Sequence, residues 1–233
     1  NVGLPGTYTL TYQAVDAAGN QASATRTIEV VDTTAPTIIV IGDASMMHEA
    51  ASDFVDPGAT AGDSLDGEVA VNVQGAVNVQ QPGVYTLTYS AVDSAGNLAQ
   101  SNRSVEVVDT TSPVITLIGS SEVVHEAATV YVDQGASAVD LLDGELIVTL
   151  TGEVDPDVLG TYTLVYKVMD AAGNAATPLT RNVAVVDTTP PVITLLGSAE
   201  MNVLFNNTFT DPGVEVSDTF ENGLTALVTG SVD

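Results

Sequence analysis

The chain has 233 residues, with 30 acidic side chains against 4 basic ones and a formal charge of −26. Such a surface repels nucleic acid and anionic membranes and attracts cations. There is no cysteine, so disulfides are excluded, and no apolar run reaches the roughly 18–20 residues that a membrane-spanning helix needs.

The first strong pattern is GTYTLTYQAVDAAGN from Gly6. Its alternation puts Tyr8, Leu10, Tyr12 and Ala14 on one face and Thr9, Thr11 and Gln13 on the other, the mark of a half-buried antiparallel strand. The turn AGN leads into a last strand that ends in Val30-Val31 and delivers the chain to Asp32-Thr33-Thr34. The phrase VVDTTAP, Val30 to Pro36, returns as VVDTTSP at Val107 to Pro113 and as VVDTTPP at Val185 to Pro191. A period of this size predicts two complete domains, residues 32–108 and 109–186, of 77 and 78 residues. They are flanked by the C-terminal half of a domain over 1–31 and the N-terminal half of one over 187–233. Export signals and anchors are then expected outside these residues.

After each Asp-Thr-Thr and its proline comes a short apolar strand: Thr37 to Ile41, Val114 to Ile118, Val192 to Leu196. A segment ending in Phe54-Val55-Asp56-Pro57-Gly58 follows, matched by Tyr131 to Gly135 and Phe209 to Gly213, and it is expected to break or bulge its strand. An acidic turn is next, Asp63-Ser-Leu-Asp66-Gly67-Glu68, then Asp140-Leu-Leu-Asp143-Gly144-Glu145, with Asp218-Thr-Phe-Glu221-Asn222-Gly223 as the third copy. One further strand (Val69 to Val73, Leu146 to Leu150) precedes the alternating motif, which recurs from Gly83 and Gly160. No segment has a helical period, so the fold class is all-β.

The Gly-x-Tyr-x-Leu spacing resembles strand F of immunoglobulin-like sandwiches, where a tyrosine folds back onto the backbone at a corner. The resemblance makes Tyr8, Tyr85 and Tyr162 the corner tyrosines and puts Leu10, Leu87 and Leu164 where antibodies carry cysteine. The order DTTAP, DPG, DGE and PGxYTLTYxAxDxAGN is similar to the bacterial Ig-like, HYR-like repeats of large secreted adhesins and surface proteins. That resemblance covers the whole chain. It implies tandem immunoglobulin-like β-sandwiches arranged end to end as a linear array, on the bacterial cell surface or outside the cell, often with calcium.

In such a sandwich the linker, the acidic turn and the last turn share one end of the domain. Three acidic segments are therefore expected to meet at each linker. The first set is Asp32, Asp63, Asp66, Glu68, Asp93 and Asn97. The second is Asp109, Asp140, Asp143, Glu145, Asp170 and Asn174. The third has Asp187, Asp218 and Glu221, with Asp16 and Asn20 as the matching last-turn residues. Calcium takes six to eight hard oxygens at flexible distances, which this donor set offers, whereas zinc or copper would call for His or Cys. The same residues are also good turn formers, since Asp and Asn bond nearby amides.

Arg26, Arg103 and Arg181 stand at one repeat position, read as just before the last strand, and in so acidic a chain each is expected to pair with an acid of its own domain. Lys167 reads as solvent decoration, and His48-Glu49 and His125-Glu126 as ordinary surface loops, since the third copy has Val203-Leu204. No set of side chains resembles an active site. The expected function is a non-enzymatic structural extender or stalk, stiffened by calcium. Its partners would be neighbouring repeats of this or same-type chains, and surface or matrix glycans through other regions. Two alternatives carry less. A carbohydrate- or receptor-binding module would want an exposed aromatic platform, and a noncovalent fibre would need split terminal domains completed by neighbouring chains.

Overall fold

The computed structural model describes residues 3–232, in two compact units, residues 1–110 and 111–233. Unit one opens with a hairpin, β1 (Gly6–Val15) and β2 (Gln21–Val30), in register from Gly6 opposite Val30 to Val15 opposite Gln21. A sandwich follows, made of β3 (Thr37–Val40), β4 (Ser45–Glu49), β5 (Ala59–Asp63), β6 (Gly67–Val69), β7 (Val71–Gln74), β8 (Gly83–Val92) and β9 (Leu98–Val108). One sheet has the order β3-β5-β6 and the other β4-β9-β8-β7. All pairs are antiparallel except β4 with β9, which run parallel.

Unit two repeats this sandwich with β10 (Val114–Leu117), β11 (Glu122–Glu126), β12 (Ala136–Asp140), β13 (Gly144–Leu146), β14 (Thr149–Thr151), β15 (Gly160–Lys167) and β16 (Leu179–Val186). Its sheets are β10-β12-β13 and β11-β16-β15-β14. The unit ends with β17 (Val192–Leu195) paired to β18 (Val214–Ser217). Among the described residues there is no helix, and the all-β, immunoglobulin-like reading of the sequence holds.

The alternating motif builds the core as its period dictates. In β8, Leu87, Tyr89 and Ala91 are buried, as are Val105 and Val107 of the paired β9; Leu164, Tyr166, Val183 and Val185 are buried likewise in unit two. The corner tyrosines close as expected: the hydroxyls of Tyr8, Tyr85 and Tyr162 donate to the carbonyls of Leu4, Gln81 and Val158 at 2.9, 2.8 and 2.8 Å, each four residues upstream. Leu87 and Leu164 are buried at the cysteine position, whereas Leu10, in the hairpin, is 46% exposed.

Two local readings need correction. The single strand expected over Val69 to Val73 is two, β6 and β7, in different sheets, and Leu146 to Leu150 divides likewise between β13 and β14. Alternation runs unbroken through the switch, with Leu146 and Val148 packed on the core and Ile147 outward. Periodicity reports which side faces the core and is silent about which sheet supplies the partner. The arginines, in turn, lie inside the last strands β2, β9 and β16, opposite Leu10, Leu87 and Leu164.

Candidate cation site at the repeat linker

In unit one the three acidic segments do converge. Asp93 closes the β8–β9 turn: its Oδ1 accepts from the Asn97 amide at 2.7 Å and its Oδ2 from Asn97 Nδ2 at 2.8 Å. Burial alone would push the Asp93 carboxyl up, but these bonds, with backbone donors from Asn97, Gly96 and Ala95, hold it below the ordinary value. Asn97 Nδ2 also reaches the carbonyls of Thr34 at 3.2 Å and Asp32 at 3.4 Å, so one amide braces the turn against the linker.

Asp63 ends β5 and caps its own turn, its Oδ1 accepting from the amides of Leu65 at 2.7 Å and Asp66 at 3.2 Å. Asp66 ties the acidic turn to the last turn by accepting from Ser94 N at 2.6 Å and Ser94 Oγ at 2.8 Å. Asp32 Oδ1 accepts from the Thr34 amide at 3.0 Å. Asp32, Asp63 and Asp93 each bring a carboxylate oxygen to within 4.8 Å of the others. The Oδ2 atoms of Asp32 and Asp63 are buried and have no hydrogen-bond partner. Turn chemistry accounts for the Oδ1 atoms of these residues and leaves the Oδ2 atoms unexplained. Glu68 stands exposed on β6, outside the group of three.

Unit two shows the same local geometry. Asp140 Oδ1 accepts from Leu142 N at 2.8 Å and Asp143 N at 3.0 Å, and its Oδ2 is buried without a hydrogen-bond partner. Asp143 Oδ2 accepts from Ala171 N at 2.7 Å, and one carboxylate oxygen of Asp143 lies within 4.8 Å of one of Asp170. Burial opposes ionisation of Asp170, yet Asn174, bonded at 2.7 and 2.9 Å, leads the donors that hold its carboxyl low. Glu145, like Glu68, is exposed. Asp109 lies in the linker that ends unit one.

The third set is dispersed among the described residues. Asp187 Oδ1 accepts from Thr189 N at 3.3 Å, and Asp218 Oδ1 accepts from Phe220 N and Glu221 N at 2.8 and 3.0 Å. Glu221 is exposed, and no group of three acids forms around it. Asp16 and Asn20 make the familiar turn in the hairpin, at 2.8 Å from both the backbone and the side-chain nitrogen of Asn20.

Sequence reasoning expected an acid for each arginine without naming it. Arg103 is fully buried, pairs through Nη1 with Asp56, and donates to the carbonyls of Asp43 (3.2 Å), Ile41 and Gly58 (3.4 Å). Tyr89, whose ring centroid lies 5.7 Å from the guanidinium carbon, donates to the same Asp56 oxygen at 2.8 Å. Arg181, Asp133 and Tyr166 repeat the cage. Burial first, then the neighbouring carboxylate, pushes the phenols of Tyr89 and Tyr166 up to about 12. The signal was available: the aspartate of Asp56-Pro57-Gly58 and Asp133-Gln134-Gly135 and the arginine of the last strand recur in register. Arg26 stacks over Tyr12 at 5.8 Å, and among the described residues no carboxylate pairs with it.

The fold and its acid-lined linker define a class: an immunoglobulin-like surface repeat built for tandem use. The chain belongs to the family described as bacterial surface protein, Ig-like domain, whose model matches residues 1–30, 38–107 and 115–185. It is an extracellular or cell-surface module. It is 30% identical over 214 residues to an uncharacterized 81.3 kDa protein of Acholeplasma phage L2, covering 88% of this chain and 28% of that protein. It is 31% identical over 208 residues to hyalin of Strongylocentrotus purpuratus, covering 81% of this chain and 17% of hyalin. The chain thus spans less than a third of the length of either relative. Among solved structures, the M60 catalytic domain with two CBM51 domains of Clostridium perfringens ZmpB superposes with a TM-score of 0.41 at 13% identity, over 85% of this chain and 36% of that one. A likeness that weak carries no functional weight.

Proposed function

We propose that this chain is a spacer segment of a larger surface protein, a stalk whose repeat linkers are stiffened by calcium. The observation that carries the reading is the pair of buried Oδ2 atoms on Asp32 and Asp63, without hydrogen-bond partners and grouped with Asp93 at the linker. Buried carboxylate oxygens are costly unless paired or bound to a cation. The net charge of −26 leaves few internal cations for the purpose, and both ion-paired arginines are occupied elsewhere. Three carboxylates with nearby backbone carbonyls make a hard, all-oxygen donor set, which suits calcium over a transition metal.

The acidic turn and the last turn repeat the pattern in sequence at Asp140, Asp143, Asp170 and Asn174. Calcium at Asp32, Asp63 and Asp93 would neutralise the gathered carboxylates and fasten the linker to the β5–β6 and β8–β9 turns. Extracellular sites of this kind bind calcium at roughly 0.1–1 mM. A ten- to hundredfold excess over Kd then adds about 1.4–2.7 kcal/mol per site.

Isothermal titration calorimetry of the 233-residue chain with calcium tests this. Binding in that range is expected, and Asp63→Asn with Asp93→Asn should weaken it at least tenfold. Absence of binding at 10 mM calcium, or equal binding by the doubly substituted protein, would defeat the proposal.

A further inference from the structure

The repeated His-Glu pairs, read from sequence as plain surface loops, do something specific. Glu49 ends β4, and its carboxylate accepts from the Thr110 amide at 2.9 Å and the Thr110 hydroxyl at 2.6 Å. Glu126 ends β11 and takes both linker threonines: Thr188 N at 3.1 and 3.2 Å, Thr188 Oγ1 at 2.6 Å, Thr189 N at 3.0 Å and Thr189 Oγ1 at 2.7 Å. In both sandwiches, then, a carboxylate of the domain grips the Asp-Thr-Thr linker by which the chain leaves it.

The glutamate is held in place to do so. Ala50 N and Ala127 N extend the parallel ladder to the carbonyls of Val108 and Val186, at 2.7 and 2.8 Å. The next residues, Ala51 and Ala128, turn the chain with φ of 55° each, a conformation L residues rarely adopt. Ser52 and Thr129 then donate to the glutamate's own carbonyl at 2.7 and 2.6 Å, while the imidazoles of His48 and His125 meet these hydroxyls at 3.1 and 3.2 Å. Each imidazole is seated edge-on against Phe54 or Tyr131 at 5.0 and 5.2 Å. The repeated histidine is thus a brace for the turn that aims the glutamate.

We infer that Glu49 and Glu126 are linker latches: positioning residues that fix the first residues of each outgoing linker to the domain behind it, with no cation required. This rests on the reading of the linker as a stiff spacer, but the hold is distinct from the carboxylate group at Asp32, which fastens a linker to the sandwich ahead of it. Stiffness would then need two fastenings in series, one always closed and one closed by calcium. The third copy turns at the same place, with Asn206 at φ 71°, yet has Leu204 where the others have glutamate. That copy therefore lacks the latch carboxylate.

Amide hydrogen exchange of the full chain, read residue by residue in EGTA, tests the inference separately from calcium binding. In the parent protein the amides of Thr110, Thr188 and Thr189 should be protected without calcium. Glu49→Ala should speed exchange at Thr110, and Glu126→Ala at Thr188 and Thr189, each by at least tenfold, with Glu126→Gln intermediate because one acceptor oxygen remains. Ladder amides of Val105 and Val183 should be unchanged. Fast exchange at the threonines in the parent protein, no response to substitution, or uniform acceleration across the ladders would each overturn the latch. Loss of calcium binding with the latch intact would overturn the stalk proposal instead.

Discussion

Arg103 and Asp56 form an ion pair beneath the β8–β9 hairpin, with the arginine wholly buried and Tyr89 donating to the same carboxylate. Breaking a buried pair from one side strands the other charge, at about 3–5 kcal/mol. Arg103→Met and Asp56→Asn should each lower the urea unfolding free energy of the 32–108 sandwich by that amount. Tyr89→Phe, which removes one hydrogen bond to a charged acceptor, should cost about 1.5–3 kcal/mol. A loss below 1 kcal/mol for Arg103→Met would show that the pair is incidental.

Gly75 follows β7 with φ of +101°, and a Cβ there would lie 2.4 Å from the Thr86 carbonyl oxygen; Gly152 repeats this with φ of +100° and 2.4 Å to Thr163. Gly75→Ala should therefore cost about 2 kcal/mol or more, since backbone strain and a backbone clash add. Gly96→Ala, at φ +92° but in open space, should cost less. Comparing their denaturation midpoints isolates the clash.

The corner tyrosines can be tested by Tyr85→Phe and Tyr162→Phe. Each deletes a hydroxyl bonded at 2.8 Å to a carbonyl four residues upstream, and each should cost about 0.5–1.5 kcal/mol with no change in fold. Circular dichroism with chemical denaturation measures both.

Glu126 carries a pH signature. The hydroxyls of Thr188 and then Thr189, followed by the Thr188 amide, hold its carboxyl near 2, below the usual 4.5. A depressed folded value means that the latch contributes fully above pH 4.5 and is lost as pH falls through about 2. The Thr188 amide chemical shift should titrate with a midpoint near 2, and a midpoint near 4.5 would contradict the hydrogen bonding.

Much of this was legible in the residues because repetition separates signal from chance. Tyr85 and Leu87 announce the core by alternation, and Asp32, Asp63 and Asp93 announce the linker group because a sandwich puts those three segments at one end. What stayed hidden depends on partners far apart in the chain. Asp56 reads as a strand breaker until Arg103, 47 residues on, is folded over it, and Glu49 reads as surface until Thr110, 61 residues on, arrives. The switch between β6 and β7 was invisible because alternation continues across it. Glu68 was enlisted by proximity in sequence, but its strand position turns it to solvent.

Whether calcium stiffens the repeat linker is read most plainly from amide hydrogen exchange of the 233-residue protein at Thr34 in the linker and Asn97 in the β8–β9 turn, in 5 mM calcium and in EGTA. Exchange at both should slow at least tenfold in calcium, with Asp63→Asn and Asp93→Asn together giving the EGTA rates in both buffers. Equal rates for the parent protein in the two buffers would contradict calcium stiffening.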